Sequence, residues 1–383
     1  MPEQAVLDRP LAPLGADGRR LWAELGAAGR IGRVYRRGDP AAGVDPERLG
    51  ELMAALDRTE TIGSTLAVCV QIATAVPLLT LSPGPGPVAA ALAEAIAGRA
   101  VIALAATDEG SGSDLLGLGT RVDIGDDAIE VTGEKRWITN ATQADHFLVL
   151  GRHRNGRHFT SFSWALVPAS APGVSVRPAD TDLFDGSGTG HVSFDGVRLS
   201  RAHLVGRPGR GLAAFAAHIA VERLAGALWG VALCRRVLAD TRAFLTSRRH
   251  AEGTLWELDS LRQRFAGCLL RAHQLQALTR ELAERVSHHD TTAAALLKAA
   301  SGTTVPHVLT ECAQLQGAEG FASGGAQRLR TEAALFGVGG GTTEVVLSVV
   351  AGAADRLLAE LGPQESASPG TTKKPETRGH DDP

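Results

Sequence analysis

Between Val101 and Val205 the chain breaks into short apolar or alternating segments, among them RVDIGDDAIEVTG, KRWITN, HFLVLGRH, SFSWALVPA and HVSFDGVRL, separated by Gly, Asp and Asn. Period-two alternation bounded by tight-turn residues predicts antiparallel strands, and no helical pattern of about 10–15 residues intervenes to build a parallel βαβ sheet. Helical periodicity lies on both sides of this block. Upstream, DPERLGELMAALDRT (Asp45–Thr59) sets an acidic cap before apolar residues at three-to-four spacing. SPGPGPV (Ser82–Val88) interrupts the pattern, and a short Ala-rich helix then runs to about Gly98. Downstream, long helical segments begin with GLAAFAAHIAVERLAGALWGVALCRRVLADTRAFLTSRR and extend to about Leu361. The expected fold class is therefore α+β, with an N-terminal helical domain (1–98), a middle antiparallel β-domain (99–205) and a C-terminal four-helix bundle (206–362). The tail, 363–383, is polar and rich in Pro, Ser and Thr, which predicts disorder.

A chain of 383 residues with a net charge of −3 buries an ample core and gives no reason to expect nucleic acid or an anionic membrane as partner. Cys69, Cys234, Cys268 and Cys312 are far apart, with no C-x-x-C pair, and are read as buried free thiols in a reducing compartment. The first residues lack a basic segment followed by an apolar core, so no signal peptide is expected. The most apolar run, TLAVCVQIATAVPLLTL from Thr65, is interrupted by Gln71 and Pro77 and is short for a bilayer. A cytoplasmic protein without a membrane partner is the expectation. SHHD (Ser287–Asp290) is read as solvated histidines on a helix, and no metal is expected.

Three motifs carry the chemistry. ATDEGSGSD (Ala106–Asp114) follows a strand and could aim backbone N–H groups at an anion, or could be a plain turn. In GEKRWITNATQADHFLVLGR (Gly133–Arg152) an indole stands beside a threonine, a pairing that can cover a flat ring and reach its edge. LFGVGGGTTEVV (Leu335–Val346) has three consecutive glycines, but it lacks the lysine and the preceding strand of a P-loop.

Taken in this order, the segments resemble the acyl-CoA dehydrogenase family, whose middle domain carries a T-E-P-x-A-G-S-D-like loop and then G-x-K-x-W-I-T-N. FDGVRLSRAHLVGRPGRGL (Phe194–Leu212), QLQGAEGF (Gln314–Phe321) and GGTTEVV are similar to the family's later signatures, and the resemblance spans residues 60–360. It implies FAD as cofactor. Thr107 would touch its pyrimidine part, Gly112 and Ser113 would lie near the pyrophosphate, Trp137 would pack by the isoalloxazine and Thr139 would bond at N5. Arg248 and Gln314 match residues that reach the FAD of a neighbouring subunit, which implies a homodimer or homotetramer. Thr342 and Glu344 belong to the loop that meets the cofactor.

The chain departs from the family pattern in places. Ala251 stands where a phenylalanine against FAD is expected, Ala318 replaces the second glycine of the glutamine signature, and Thr331-Glu332 replaces an Arg-Asp pair. The position that carries the catalytic glutamate in many members is Gly340. Long-chain and isovaleryl-type members, which this chain resembles in that respect, hold the base on a helix in an E-R pair, and HIAVERLAGALWG supplies Glu222-Arg223 at the matching place. The alternative for Glu222 is a helix-surface ion pair. The implied reaction is α,β-dehydrogenation of an acyl thioester. Glu222 would remove the α proton as hydride passes to flavin N5, Arg223 and Gly340 would border the substrate, and the Gly340 N–H would bond the thioester oxygen. Burial should raise the Glu222 pKa. The acyl carrier is CoA or an acyl-carrier protein, and the electron acceptor is not readable. Alternatives are an acyl-carrier-protein dehydrogenase oxidising a hydroxylated acyl group for a polyketide extender unit, a flavin monooxygenase on the same fold, and a non-catalytic homologue.

Overall fold

The computed structural model describes residues 17–110 and 114–362. The expected disordered tail lies outside the described residues, as do Gly112 and Ser113 of the glycine-rich loop. Six helices come first: α1 (Gly18–Ala27), α2 (Arg30–Arg33), α3 (Pro46–Thr59), α4 (Ile62–Val70), α5 (Val76–Leu79) and α6 (Pro87–Ile96). α3 begins as its sequence dictates. The Asp45 carboxylate accepts from the N–H groups of Glu47 and Arg48, and Pro46, which has no N–H to lose, fills the first turn.

α4 and α5 are one continuous helix, joined by a π-helical turn at Gln71–Ala75. This 18-residue unit, Ile62–Leu79, is long and apolar enough by length and composition to cross a membrane, which corrects the expectation that the run is too short. Its setting argues otherwise, because 94% of it is buried inside the fold. Gln71, fully buried, offers its side-chain oxygen to the N–H of Ile102 at 3.0 Å and so ties the helix to the first strand.

The strands are β1 (Ile102–Ala105), β2 (Arg121–Ile124), β3 (Ala128–Ile138), β4 (His146–Arg152), β5 (Phe162–Pro168), β6 (Val174–Pro178), β7 (Gly190–Ser200) and β8 (Leu204–Val205). They form one sheet in the order β6-β7-β3-β2-β4-β5-β8, with β1 paired to β4. The expected antiparallel character holds for most pairs but not for β1, which runs parallel to β4, as β2 does at one residue pair. A parallel neighbour needs a long connection, and the glycine-rich loop with the β2–β3 hairpin supplies it. The segments AIEVTG and KRWITN are one strand, β3, with register shifts at Val131/Gly133 and Lys135/Ile138. Gly133 has φ +144°, and a Cβ there would lie 2.7 Å from Thr120, so only glycine fits this bulge.

The C-terminal part opens with α7 (Gly211–Ser247), followed by a hairpin of β9 (Arg249–His250) and β10 (Gly253–Thr254), then α8 (Asp259–Ser287) and α9 (Thr291–Gln316). The expected fourth bundle helix is instead a series of short pieces: α10 (Ala326–Glu332), α11 (Leu335–Val338), α12 (Thr343–Gly352) and α13 (Ala354–Glu360). The glycines at 339–341, two of them at positive φ, break the helix here. One hydrophobic core runs from Leu21 and Trp22 of α1 through Trp164 of β5 to Trp229 of α7 and Phe336 of α11, so the three parts share an interior. A second core, around Phe147 and Phe194, lies within the β-domain.

Candidate active site

Three elements meet at Glu222. α7 carries the residue, the π turn brings Thr74 to it, and the glycine loop after α11 closes over it. The Thr74 hydroxyl donates to Glu222 Oε2 at 2.7 Å. A side chain at Gly340 would begin 3.8 Å from Glu222 Oε1. The Glu222 carboxyl, with Lys298 and Arg223, thus borders the space that a side chain at 340 would enter. Gly340 has φ +72° and Gly341 φ +101°, backbone conformations that suit glycine. The Arg223 Nε donates to the Gly340 carbonyl at 3.1 Å and fixes the loop. Among the described residues the Gly340 N–H has no acceptor.

Glu222 faces a cavity with apolar walls that include Leu66, Val70, Trp229 and Phe336. Desolvation holds its carboxyl above the ordinary carboxylate range, opposed by the Thr74 hydrogen bond and by the charges of Arg223 and Lys298. Lys298, on α9 and 4% exposed, donates its Nζ to the Phe336 carbonyl. Burial, reinforced by Arg223, lowers its pKa to about 8. The site is therefore a carboxyl with raised proton affinity between two cations, under a loop with a spare N–H donor. Such a carboxyl can take a proton from an apolar substrate held against it.

Sequence reasoning missed Thr74 and Lys298. Thr74 sits in an apolar run in which an ordinary α-helical period gives no cue to a π turn. Lys298 is a lone lysine in AAALLKAASG, an apolar setting that could have drawn attention to it.

A second cluster lies on the β-domain. Trp137 is 59% exposed at φ +55°, strained for a non-glycine residue, and its ring stands edge-on to His191. Its backbone N–H donates to His191 Nδ1 at 3.2 Å. Asp108 anchors the glycine-rich loop beside it. Its carboxylate accepts from the N–H groups of Gly119 and Thr120 and pairs with the fully buried Lys135 at 2.5 Å. The Thr107 carbonyl accepts from the Arg136 N–H, which lays the loop along β3. Among the described residues the hydroxyls of Thr107, Thr139 and Thr342 have no hydrogen-bond partner. An uncovered indole with the unused hydroxyls of Thr107 and Thr139 on neighbouring backbone fits a flat, polar-edged group such as a flavin ring. The other expected cofactor residues stand apart from this cluster. Arg248 caps the helix C-terminus and is 3.9 Å from Glu319 in an exposed pair, Gln314 is exposed on α9, and Glu344 is exposed on α12. None of the three lines the Glu222 cavity. Ala251 takes the tight turn of the β9–β10 hairpin at φ +49°. Among the described residues no cluster could hold a metal ion.

The family model described as acyl-CoA dehydrogenase, middle domain, matches residues 103–197, and that described as acyl-CoA dehydrogenase, C-terminal domain, matches 209–354. The acyl-[acyl-carrier-protein] dehydrogenase MbtN of Mycobacterium sp. (strain MCS) is 32% identical over 270 residues, 68% of this chain and 67% of that protein. Among solved structures, the FAD complex of PigA superposes with a TM-score of 0.81 at 20% identity, covering 90% of each chain. The prolyl acyl carrier protein oxidase AnaB gives a TM-score of 0.81 at 19% identity, covering 88% of this chain and 90% of that one.

Proposed function

The chain belongs to the acyl-CoA dehydrogenase family and is an FAD-dependent oxidoreductase of acyl thioesters; from that premise we propose that Glu222 is the base that takes the α proton. The observation that carries this is the carboxyl's position, 3.8 Å from where a side chain at Gly340 would begin. Thr107, Trp137, Thr139 and Thr342, with the 112–113 segment, would hold FAD, which supplies the hydride acceptor when bound. Thr74 orients the carboxyl, Arg223 fixes the glycine loop, and the Gly340 N–H is available to the thioester oxygen as charge develops there. The apolar walls exclude water and keep the carboxyl basic. Arg248 and Gln314 would complete a neighbouring subunit's cofactor site, and Glu344 would stand with Thr342 in the loop that meets the cofactor.

We take the substrate to be carried by CoA or by an acyl-carrier protein, and the likeness to MbtN supports the carrier protein. A buried carboxyl poised beside an apolar cavity is a proton-abstraction device, which a monooxygenase does not require. The four described thiols are free and buried, in keeping with the cytoplasm.

The test is Glu222→Gln. The variant should retain FAD colour and still bind thioester, while anaerobic flavin reduction slows by about 10²-fold or more, the scale of a lost general base. Near wild-type reduction would remove Glu222 from the mechanism. The buried carboxyl has a raised pKa, so its ionisation opposes folding, and stability falls as pH rises through that pKa. Glu222→Gln should therefore melt above the wild type at neutral pH.

A further inference from the structure

Glu222, Gly226 and Trp229 follow one another at i, i+4 and i+7 on α7, on the same helix face, and all three line one cavity. Glycine inside a helix is destabilising relative to alanine and needs a reason. At Gly230 the reason is packing, since a Cβ there would lie 2.7 Å from Val305. At Gly226 no atom lies within 4 Å of the position a Cβ would take. The protein's own packing does not require glycine there, and the missing side chain leaves open space beside the base.

Trp229 is the opposite. It is 2% exposed, its ring centre lies 5.1 Å from that of Phe336, and its Nε1 donates to Asp57 at 3.3 Å. Asp57 is itself gripped by Arg236 through bonds of 2.8 and 3.1 Å. An indole held in this way does not swing aside. It lies seven positions along the helix from Glu222, a rise of about 10 Å.

We infer that Gly226 and Trp229 set the acyl specificity: Gly226 provides the floor on which the acyl chain lies past the base, and Trp229 is the end wall that limits it to a short chain. This rests on the reading of Glu222 as the base, and it names the substrate class of that same site. The polar end of the cavity, with Glu222, Arg223 and Lys298, would face the reacting carbons, and the apolar end would take the few methylenes beyond them.

The experiment uses the FAD-loaded protein and saturated alkyl-pantetheine thioethers, which cannot react, with binding followed by calorimetry. The matching pantetheine thioesters are followed by anaerobic flavin bleaching. Wild type should gain about fourfold in affinity per methylene up to a short chain and then lose at least tenfold. Trp229→Leu should shift that break to longer chains. Gly226→Leu should shift it to shorter ones, and Gly226→Ala, which removes a helix glycine, should keep or raise the melting temperature while weakening the longest bound thioether. Affinity that climbs without a break through decyl and longer chains in wild type, a break that neither variant moves, or no thioether binding at all would overturn the inference. Failure of the Glu222 reading shows separately, as chain-length-dependent binding with flavin reduction unaffected by Glu222→Gln.

Discussion

At Glu222 the balance of two opposed effects decides the chemistry. Desolvation raises its proton affinity, and the Thr74 hydroxyl, Arg223 and Lys298 pull it back. Removing one of the restraining groups should therefore move the pH at which the proposed base becomes available. In Thr74→Val the carboxylate loses a donor, its pKa rises further, and the limb along which flavin reduction increases with pH should shift to higher pH. Thr74→Ser should restore the wild-type limb, a rescue that a purely packing role for Thr74 would not produce. The check is the pH profile of anaerobic reduction in the three proteins. How far this site was legible differs residue by residue. Glu222 could be singled out as a candidate because an E-R pair stood on a helix while the usual position held glycine, and its approach to Gly340 is what the structure adds. Thr74 could not, because its approach to Glu222 depends on a backbone irregularity with no sequence period of its own. Its partner also lies 148 residues away in the chain.

The elements that matter most are irregular ones. The π turn leaves the Ile72 carbonyl to accept from the buried Tyr35 hydroxyl at 2.8 Å, so the irregularity is satisfied and not merely tolerated. On the β side, the loop between β1 and β2 is held by Asp108 against Lys135. Removing one member of a buried ion pair costs about 3–5 kcal/mol, because its partner stays charged and unpaired. Asp108→Ala should show that loss in a denaturation midpoint, and FAD occupancy, read from visible absorbance, should fall with it. Full occupancy in a destabilised protein would mean that the loop does not help hold the cofactor. Regular elements were legible: α3 starts at its Asp45 cap, and α7 runs where its apolar pattern runs. The merging of two segments into β3 was not, since Gly133 reads as a turn in sequence and is a bulge in the sheet. Nor was the parallel setting of β1, which is fixed by contacts with the helical domain beneath it.

Across the whole molecule, apolar side chains remain uncovered on the C-terminal helices: Val345, Leu347 and Val349 of α12 and Leu358 of α13 are each at least 42% exposed. Together with Arg248 and Gln314 in solvent, they motivate the expectation of a homodimer or homotetramer in which subunits share cofactor sites. Sedimentation velocity should show one of these assemblies, dilution should release FAD, and Arg248→Ala should lower FAD occupancy without changing the sedimentation coefficient. A monomer with full flavin would contradict the arrangement. The overall order of helices, sheet and helices was plain from the texture of the sequence. The sharing of one interior among all three parts was not, because it depends on pairs such as Asp57 with Arg236. The helix Ile62–Leu79 adds a consequence for biosynthesis. Its strand partner at Ile102 and its helix partner at Glu222 are translated after it. During that interval an apolar segment of bilayer-spanning length leaves the ribosome with only its earlier neighbours, α1, α3 and Tyr35, available to cover it. Factors that sort nascent chains by hydrophobicity alone therefore meet a membrane-like signal, one whose burial is completed when α7 has been made and docked.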